Sequence, residues 1–60
     1  MCLATVYKES DNTVLMRNCA RIDVEGDFVL IKDIIGDETR IQGRILSVDL
    51  ANSEVRLVCD

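Results

Sequence analysis

The sequence predicts an all-β domain, a small barrel of six or seven short antiparallel strands occupying residues 1–60 as one unit. Three observations predict it. Val, Ile and Thr supply 16 of the 60 residues, a weighting toward strands. Apolar and polar side chains alternate with period two along most of the chain. Turn-forming clusters punctuate that alternation roughly every 7–10 residues, the rhythm of a closed or half-closed barrel.

The elements follow in order. Cys2 to Lys8 reads as a first strand, with Cys2, Ala4 and Val6 on one face and Leu3, Thr5 and Tyr7 on the other. Ser10-Asp11-Asn12 is turn chemistry, because these short polar side chains bond their own backbone and Asn tolerates positive φ. Thr13 to Arg17 is a second strand and Cys19 to Glu25 a third. Glu25-Gly26-Asp27 is a hairpin signal, from which Phe28 to Lys32 leaves as a fourth strand. The stretch Ile31 to Ile35 has the length for one helical turn, which Gly36 would stop. After Gly36-Asp37-Glu38 the pattern resumes at Thr39 to Gln42. Gly43 interrupts it as a bulge or bend, and Arg44 to Leu50 carries it on. Ala51-Asn52-Ser53 turns the chain into a last strand, Glu54 to Cys59. Proline is absent, and no repeat or linker divides the chain.

Size and charge narrow the function. A chain of this length buries only about 60% of its extended surface, so a partner subunit is expected and an elaborate active site is not. No apolar run reaches the roughly 20 residues of a membrane span, and no basic segment leads into an apolar one at the N-terminus. The expectation is a soluble, cytoplasmic protein. With 7 Lys and Arg against 11 Asp and Glu, the net charge is -4, the wrong sign for a phosphate-binding surface. Arg17, Arg21, Arg40, Arg44 and Arg56 are interleaved with acids, and only Tyr7 and Phe28 offer stacking rings. Nucleic acid is therefore not the expected partner.

Catalytic inventories are equally thin. His is absent, which removes the usual Ser-His-Asp and Cys-His pairings. The three glycines stand too far apart for a phosphate-cradling loop. Asp23/Glu25 and Asp37/Glu38 flank turns, where carboxylates are ordinarily solvated. No enzyme is expected. Cys2, Cys19 and Cys59 are an odd set without CxxC spacing, so neither a disulfide framework nor a zinc knuckle is predicted. Cys19 and Cys59 read as small core residues in a reducing compartment.

Met1-Cys2 differs from the other two positions. The Met1 amine, the deprotonated Cys2 amide and the Cys2 thiolate close two fused five-membered chelate rings; without Met1, the Cys2 amine and thiolate still close one. Such strong-field nitrogen and sulfur donors suit square-planar Ni(II) or Cu(II) better than tetrahedral zinc. The same Cys2 is also the first core residue of a strand, and composition alone leaves both roles open.

The start Met1-Cys2-Leu3-Ala4-Thr5-Val6-Tyr7 resembles that of the CooT proteins, nickel-binding accessory proteins associated with carbon monoxide dehydrogenase. The likeness continues through Val24-Glu25-Gly26-Asp27, Asp33-Ile34-Ile35-Gly36-Asp37-Glu38, and Gly43-Arg44-Ile45 leading into Val48-Asp49-Leu50. The resemblance implies an SH3-like barrel that forms a homodimer. It implies Ni(II) held at the N-termini by Cys2 with Met1, and a nickel-dependent client enzyme, carbon monoxide dehydrogenase or its maturation proteins. It assigns nothing to Cys19 or Cys59. Two other readings of the chain are an RNA-binding small barrel, as many relatives are labelled, and a metal-free docking subunit.

Overall fold

The computed structural model describes residues 3–59 and contains five strands: β1 (Ala4–Lys8), β2 (Val14–Glu25), β3 (Phe28–Asp33), β4 (Glu38–Asp49) and β5 (Glu54–Cys59). Each strand hydrogen-bonds to the next, and β5 returns to β1, so a single sheet closes into a barrel. Neighbours are antiparallel except at the closure, where β1 and β5 run parallel with Thr5 opposite Glu54 and Lys8 opposite Leu57. Parallel closure corrects the all-antiparallel expectation and follows from the count. In an up-and-down ring of five, the first and last strands point the same way, whereas six would close antiparallel.

The count itself corrects the expected six or seven. Two interruptions that read as strand ends are bends within long strands. The second and third expected strands fuse through Asn18, which takes φ 57°, into the twelve-residue β2. The first half of β2 pairs with β1 and the second half with β3, and the register shifts between Cys19 and Arg21. Gly43 does the same for β4, whose residues 38–42 pair with β3 and residues 43–49 with β5. A third correction concerns Ile31 to Ile35. Ile31 to Asp33 completes β3, and only Ile34 and Ile35 turn. The expected start of the first strand at Cys2 lies outside the described residues, within which β1 begins at Ala4.

The turns use the chemistry expected of them. Gly26 and Asp27 form a two-residue hairpin loop, with Gly26 at φ 57° and Glu25 opposite Phe28. Between β1 and β2, the Asp11 carboxylate accepts bonds from the Thr13 hydroxyl at 2.6 Å and its backbone N–H at 3.0 Å. These bonds hold the Asp11 carboxyl below its ordinary pKa. Asn12 takes φ 60° there.

Alternation delivers Val6, Cys19, Val29, Ile31, Val55 and Leu57 to the buried interior. Ala4, Leu15, Met16, Ile22, Ile41, Ile45 and Cys59 pack around them. Burying each large aliphatic side chain contributes about 1.5–3 kcal/mol. Cys19 behaves as expected of a core thiol. It is 4% exposed, its Sγ donates to the Arg21 carbonyl at 3.4 Å, and burial raises its pKa.

Two outcomes are predicted. A Cβ on Gly43 would meet the Val58 carbonyl oxygen and lie 3.0 Å from the Cys59 Cα, whereas one on Gly26 would meet nothing within 4 Å. In urea unfolding, Gly43→Ala should lose about 3 kcal/mol or more and Gly26→Ala about 1 kcal/mol. Equal losses would show that β4 bends without needing glycine. The raised Cys19 pKa stabilises the fold fully below the unfolded thiol value of about 8.5. Above that value the unfolded chain sheds the proton while the native state still holds it. Stability should therefore fall with rising pH until the folded thiol ionises, and Cys19→Ala should flatten that fall in matched urea titrations.

Candidate functional site

The residues singled out as metal donors, Met1 and Cys2, lie outside the described residues. What the structure defines is the place where the chain following them enters the barrel. Ala4 stands opposite Cys19 on β2, and Cys19 in turn stands opposite Asp33 on β3. On the other side the Thr5 N–H donates to the Ser53 carbonyl at 2.9 Å. The start of β1 thus sits between the bend of β2 and the turn joining β4 to β5.

That end of the barrel is apolar and uncovered. A hollow of about 210 Å³ is lined by Ala4, Val48, Leu50 and Val55, with Asp49, Ser53 and Glu54 at its polar edge. Val48 lies opposite the buried Val55, so it belongs to the inner face of the sheet, yet it is 53% exposed. Leu50, just past the strand, is 81% exposed. The inner, apolar face therefore runs out past the point where the ring covers it. The turn after it is braced by Asp49, whose carboxylate accepts the Asn52 side-chain amide at 2.9 Å and its backbone N–H at 3.1 Å. Those bonds, the side-chain one foremost, hold Asp49 below the ordinary carboxylate pKa.

A second apolar feature stands beyond the Asp33 end of β3. Asp33 accepts the backbone N–H groups of Ile35 at 3.1 Å and Asp37 at 2.9 Å, closing a loop that displays Ile34 and Ile35. Ile34 N–H donates to the Asn18 carbonyl, tying the loop to the bend of β2 beside Cys19. Large exposed aliphatic side chains are costly to leave in water, and grouped ones mark contact surfaces. Sequence reasoning missed this mouth. Alternation assigns Val48 to an inner face without saying where the cover ends. The visible signal was the pair Ile34-Ile35 beside Gly36, read as a possible helical turn.

Other candidates fall elsewhere. Cys59 stands opposite Gly43, beyond the Leu57–Lys8 pairing and so at the far end of β1 from Ala4. Among the described residues no three His, Cys, Asp or Glu side chains group to hold a metal. Asp23 pairs with Arg21 at 2.9 Å, and Glu38 lies 3.9 Å from Lys32, both on the exposed surface. The Arg21 guanidinium is held above its ordinary pKa by that bond to Asp23. Both aromatic rings already carry a cation: Arg40 lies 3.9 Å from the centre of Phe28 and Arg56 5.1 Å from that of Tyr7. Arg56 also donates to the Asn12 side-chain oxygen at 2.7 Å. No described helix is long and apolar enough to cross a membrane.

Comparisons with known proteins bear on the whole chain. The crystal structure of a protein provisionally assigned as CooT from Carboxydothermus hydrogenoformans superposes with a TM-score of 0.87. It covers 98% of each chain at 15% sequence identity, a likeness of fold. No curated protein sequence matches. The family model for the CO dehydrogenase accessory protein CooT matches residues 1–58. The chain belongs to the CooT family of CO dehydrogenase accessory proteins.

Proposed function

We propose that this protein is a non-enzymatic nickel carrier of the cytoplasm, an SH3-like barrel that binds Ni(II) at its N-terminal Met-Cys motif across a homodimer. Its role is to store nickel or deliver it to a client enzyme, carbon monoxide dehydrogenase or its maturation proteins. The observation that carries this reading is the apolar mouth at the entry of β1, formed by Ala4, Val48, Leu50 and Val55. A second copy packed there would bury those aliphatic groups and bring two N-termini together at one axis. Hydrophobic contact would then do what a chain this small cannot do alone, namely complete a ligand set from two dipeptides.

Donor chemistry supports the same assignment. The N-terminal amine, the Cys2 amide and the Cys2 thiolate are adjacent strong-field donors in a chain without His, a set that suits Ni(II). Nickel is the cargo in this reading. A donor set at the chain end can open without unfolding the barrel, which suits release. Binding displaces protons from these donors, so affinity falls as pH falls.

Four experiments test it. Titrating reduced protein with Ni(II), read by thiolate-to-nickel absorption and native mass spectrometry, should give one nickel per two chains. Cys2→Ser should weaken uptake by more than about 100-fold with an unchanged circular dichroism spectrum. Undiminished affinity in that variant would sink the reading. Acetylating the N-terminal amine should alter the nickel spectrum, and an unaltered one excludes the amine as a donor. Leu50→Glu or Val48→Glu should weaken dimerisation by at least about tenfold in sedimentation, since each places a charge where an aliphatic group would be buried. A dimer indifferent to both would place the interface elsewhere.

A further inference from the structure

The segment joining β3 to β4 holds two isoleucines away from the core on a fixed support. Every backbone N–H from Asp33 to Asp37 has an acceptor within the fold. Asp33 donates to the Asp37 carbonyl at 3.0 Å, Ile34 to the Asn18 carbonyl at 3.1 Å and Gly36 to the Asp33 carbonyl at 3.1 Å. The Asp33 carboxylate accepts the N–H of Ile35 at 3.1 Å and that of Asp37 at 2.9 Å. Gly36 takes φ 97°, a conformation that costs glycine little and other residues much. The segment is thus bonded in place, yet Ile35 is 80% and Ile34 56% exposed. Folding gains little from the Ile35 side chain in that position. A partner that covers the knob buries aliphatic area without having to order a loop first.

Charge selects the partner. Asp33, Asp37 and Glu38 belong to the knob or its border, against one cation, Lys32, which lies 3.9 Å from Glu38. Asp37 has no cation partner among the described residues. The surface complementary to this knob is an apolar socket edged by Lys or Arg. The other large exposed aliphatics among the described residues do not supply one. Val24 stands between Asp23 and Glu25, Val48 and Leu50 flank Asp49, and Leu46 stands alone at the register shift of β4. The hollow at the mouth has Asp49 and Glu54 on its edge, the same sign as the knob. We propose that the Ile34–Ile35 knob docks this protein on carbon monoxide dehydrogenase, in an apolar socket edged by Lys or Arg. The chemistry of the socket is read from the knob. The identity of the enzyme rests on the client half of the reading above and on membership of an accessory family. None of the residues lining the mouth belongs to the knob, so docking leaves the mouth available to a second copy.

The probe is purified, nickel-free carbon monoxide dehydrogenase, immobilised and titrated with the full-length, reduced, metal-free chain by surface plasmon resonance. The unmutated chain should bind. Ile35→Ser should weaken binding by at least about tenfold, and Asp37→Lys should slow association. Val24→Ser removes an exposed aliphatic side chain elsewhere and should leave binding unchanged. Circular dichroism checks the fold of each variant. Asp37→Lys keeps both isoleucines and the backbone bonds of Asp37, so it reads the charge argument independently of Ile35. No binding by the unmutated chain, or undiminished binding by Ile35→Ser, overturns the proposal. Sedimentation of Ile35→Ser alone supplies a further check. A changed oligomeric state would put a second copy on the knob and also overturn it. Nickel titration separates this proposal from the nickel reading. A chain that docks through the knob but takes up no nickel overturns the nickel reading and leaves the docking result standing. One that takes up nickel but does not dock overturns the docking proposal alone.

Discussion

Closing a ring from so few residues requires two of the five strands, β2 and β4, to divide their length between two neighbours, and the geometry of that sharing governs everything else in the molecule. At Gly43 the chain passes against the backbone of Val58 so closely that a Cβ would meet the carbonyl oxygen. The Gly43 N–H meanwhile donates to the Asp27 carbonyl at 2.9 Å, fastening the bend to the β2–β3 hairpin. Residues 38–42 can then face β3 while residues 43–49 face β5. Without that close approach β4 would stay straight, β5 would have no partner on that side, and the sheet would keep open edges. Such edges invite pairing between molecules.

From this closure follows the parity of the ring, and from the parity follows where the chain ends lie. With five strands, β1 and β5 run in parallel, so the start of β1 is beside the start of β5 and the turn before it. Ala4 therefore lies at the same end of the barrel as Val48, Leu50 and Ser53, while Cys59 is carried to the other end. A six-stranded ring would have placed the first and last strands head to tail. The position of the start of β1 beside an apolar mouth is thus a consequence of topology, not of local sequence.

Among the described residues the core is modest: six buried side chains, none of them aromatic, and no buried polar side chain. Burial of a few aliphatic groups against the ordering entropy of a short chain leaves little surplus. Uncovered aliphatic residues at the mouth and on the Ile34-Ile35 loop then represent stability still available through association. The charged residues do little to alter that balance. The ion pairs Arg21–Asp23 and Lys32–Glu38 lie on the exposed surface, where solvent screens them.

Much of this was legible in the sequence, because the signals were local. Period-two alternation marked residues of all five strands, and Gly26-Asp27 and Asp11-Asn12 announced their turns through φ and side-chain bonding. The Met-Cys start stood out because its donors are adjacent in the chain. Strand number was not legible: Asn18 and Gly43 look like breaks, and whether a break ends a strand or bends it depends on what pairs with each side. The parallel seam between β1 and β5 was not legible either, since it follows from a count that local patterning left open. Nor was the mouth, where Val48 alternates like a core residue and yet is 53% exposed. By itself the sequence determined which segments are extended and where the chain turns, both set by features within a few residues. Only the tertiary structure decided the bends, the seam and the surface beside the start of β1, because each depends on pairing between segments far apart in the chain.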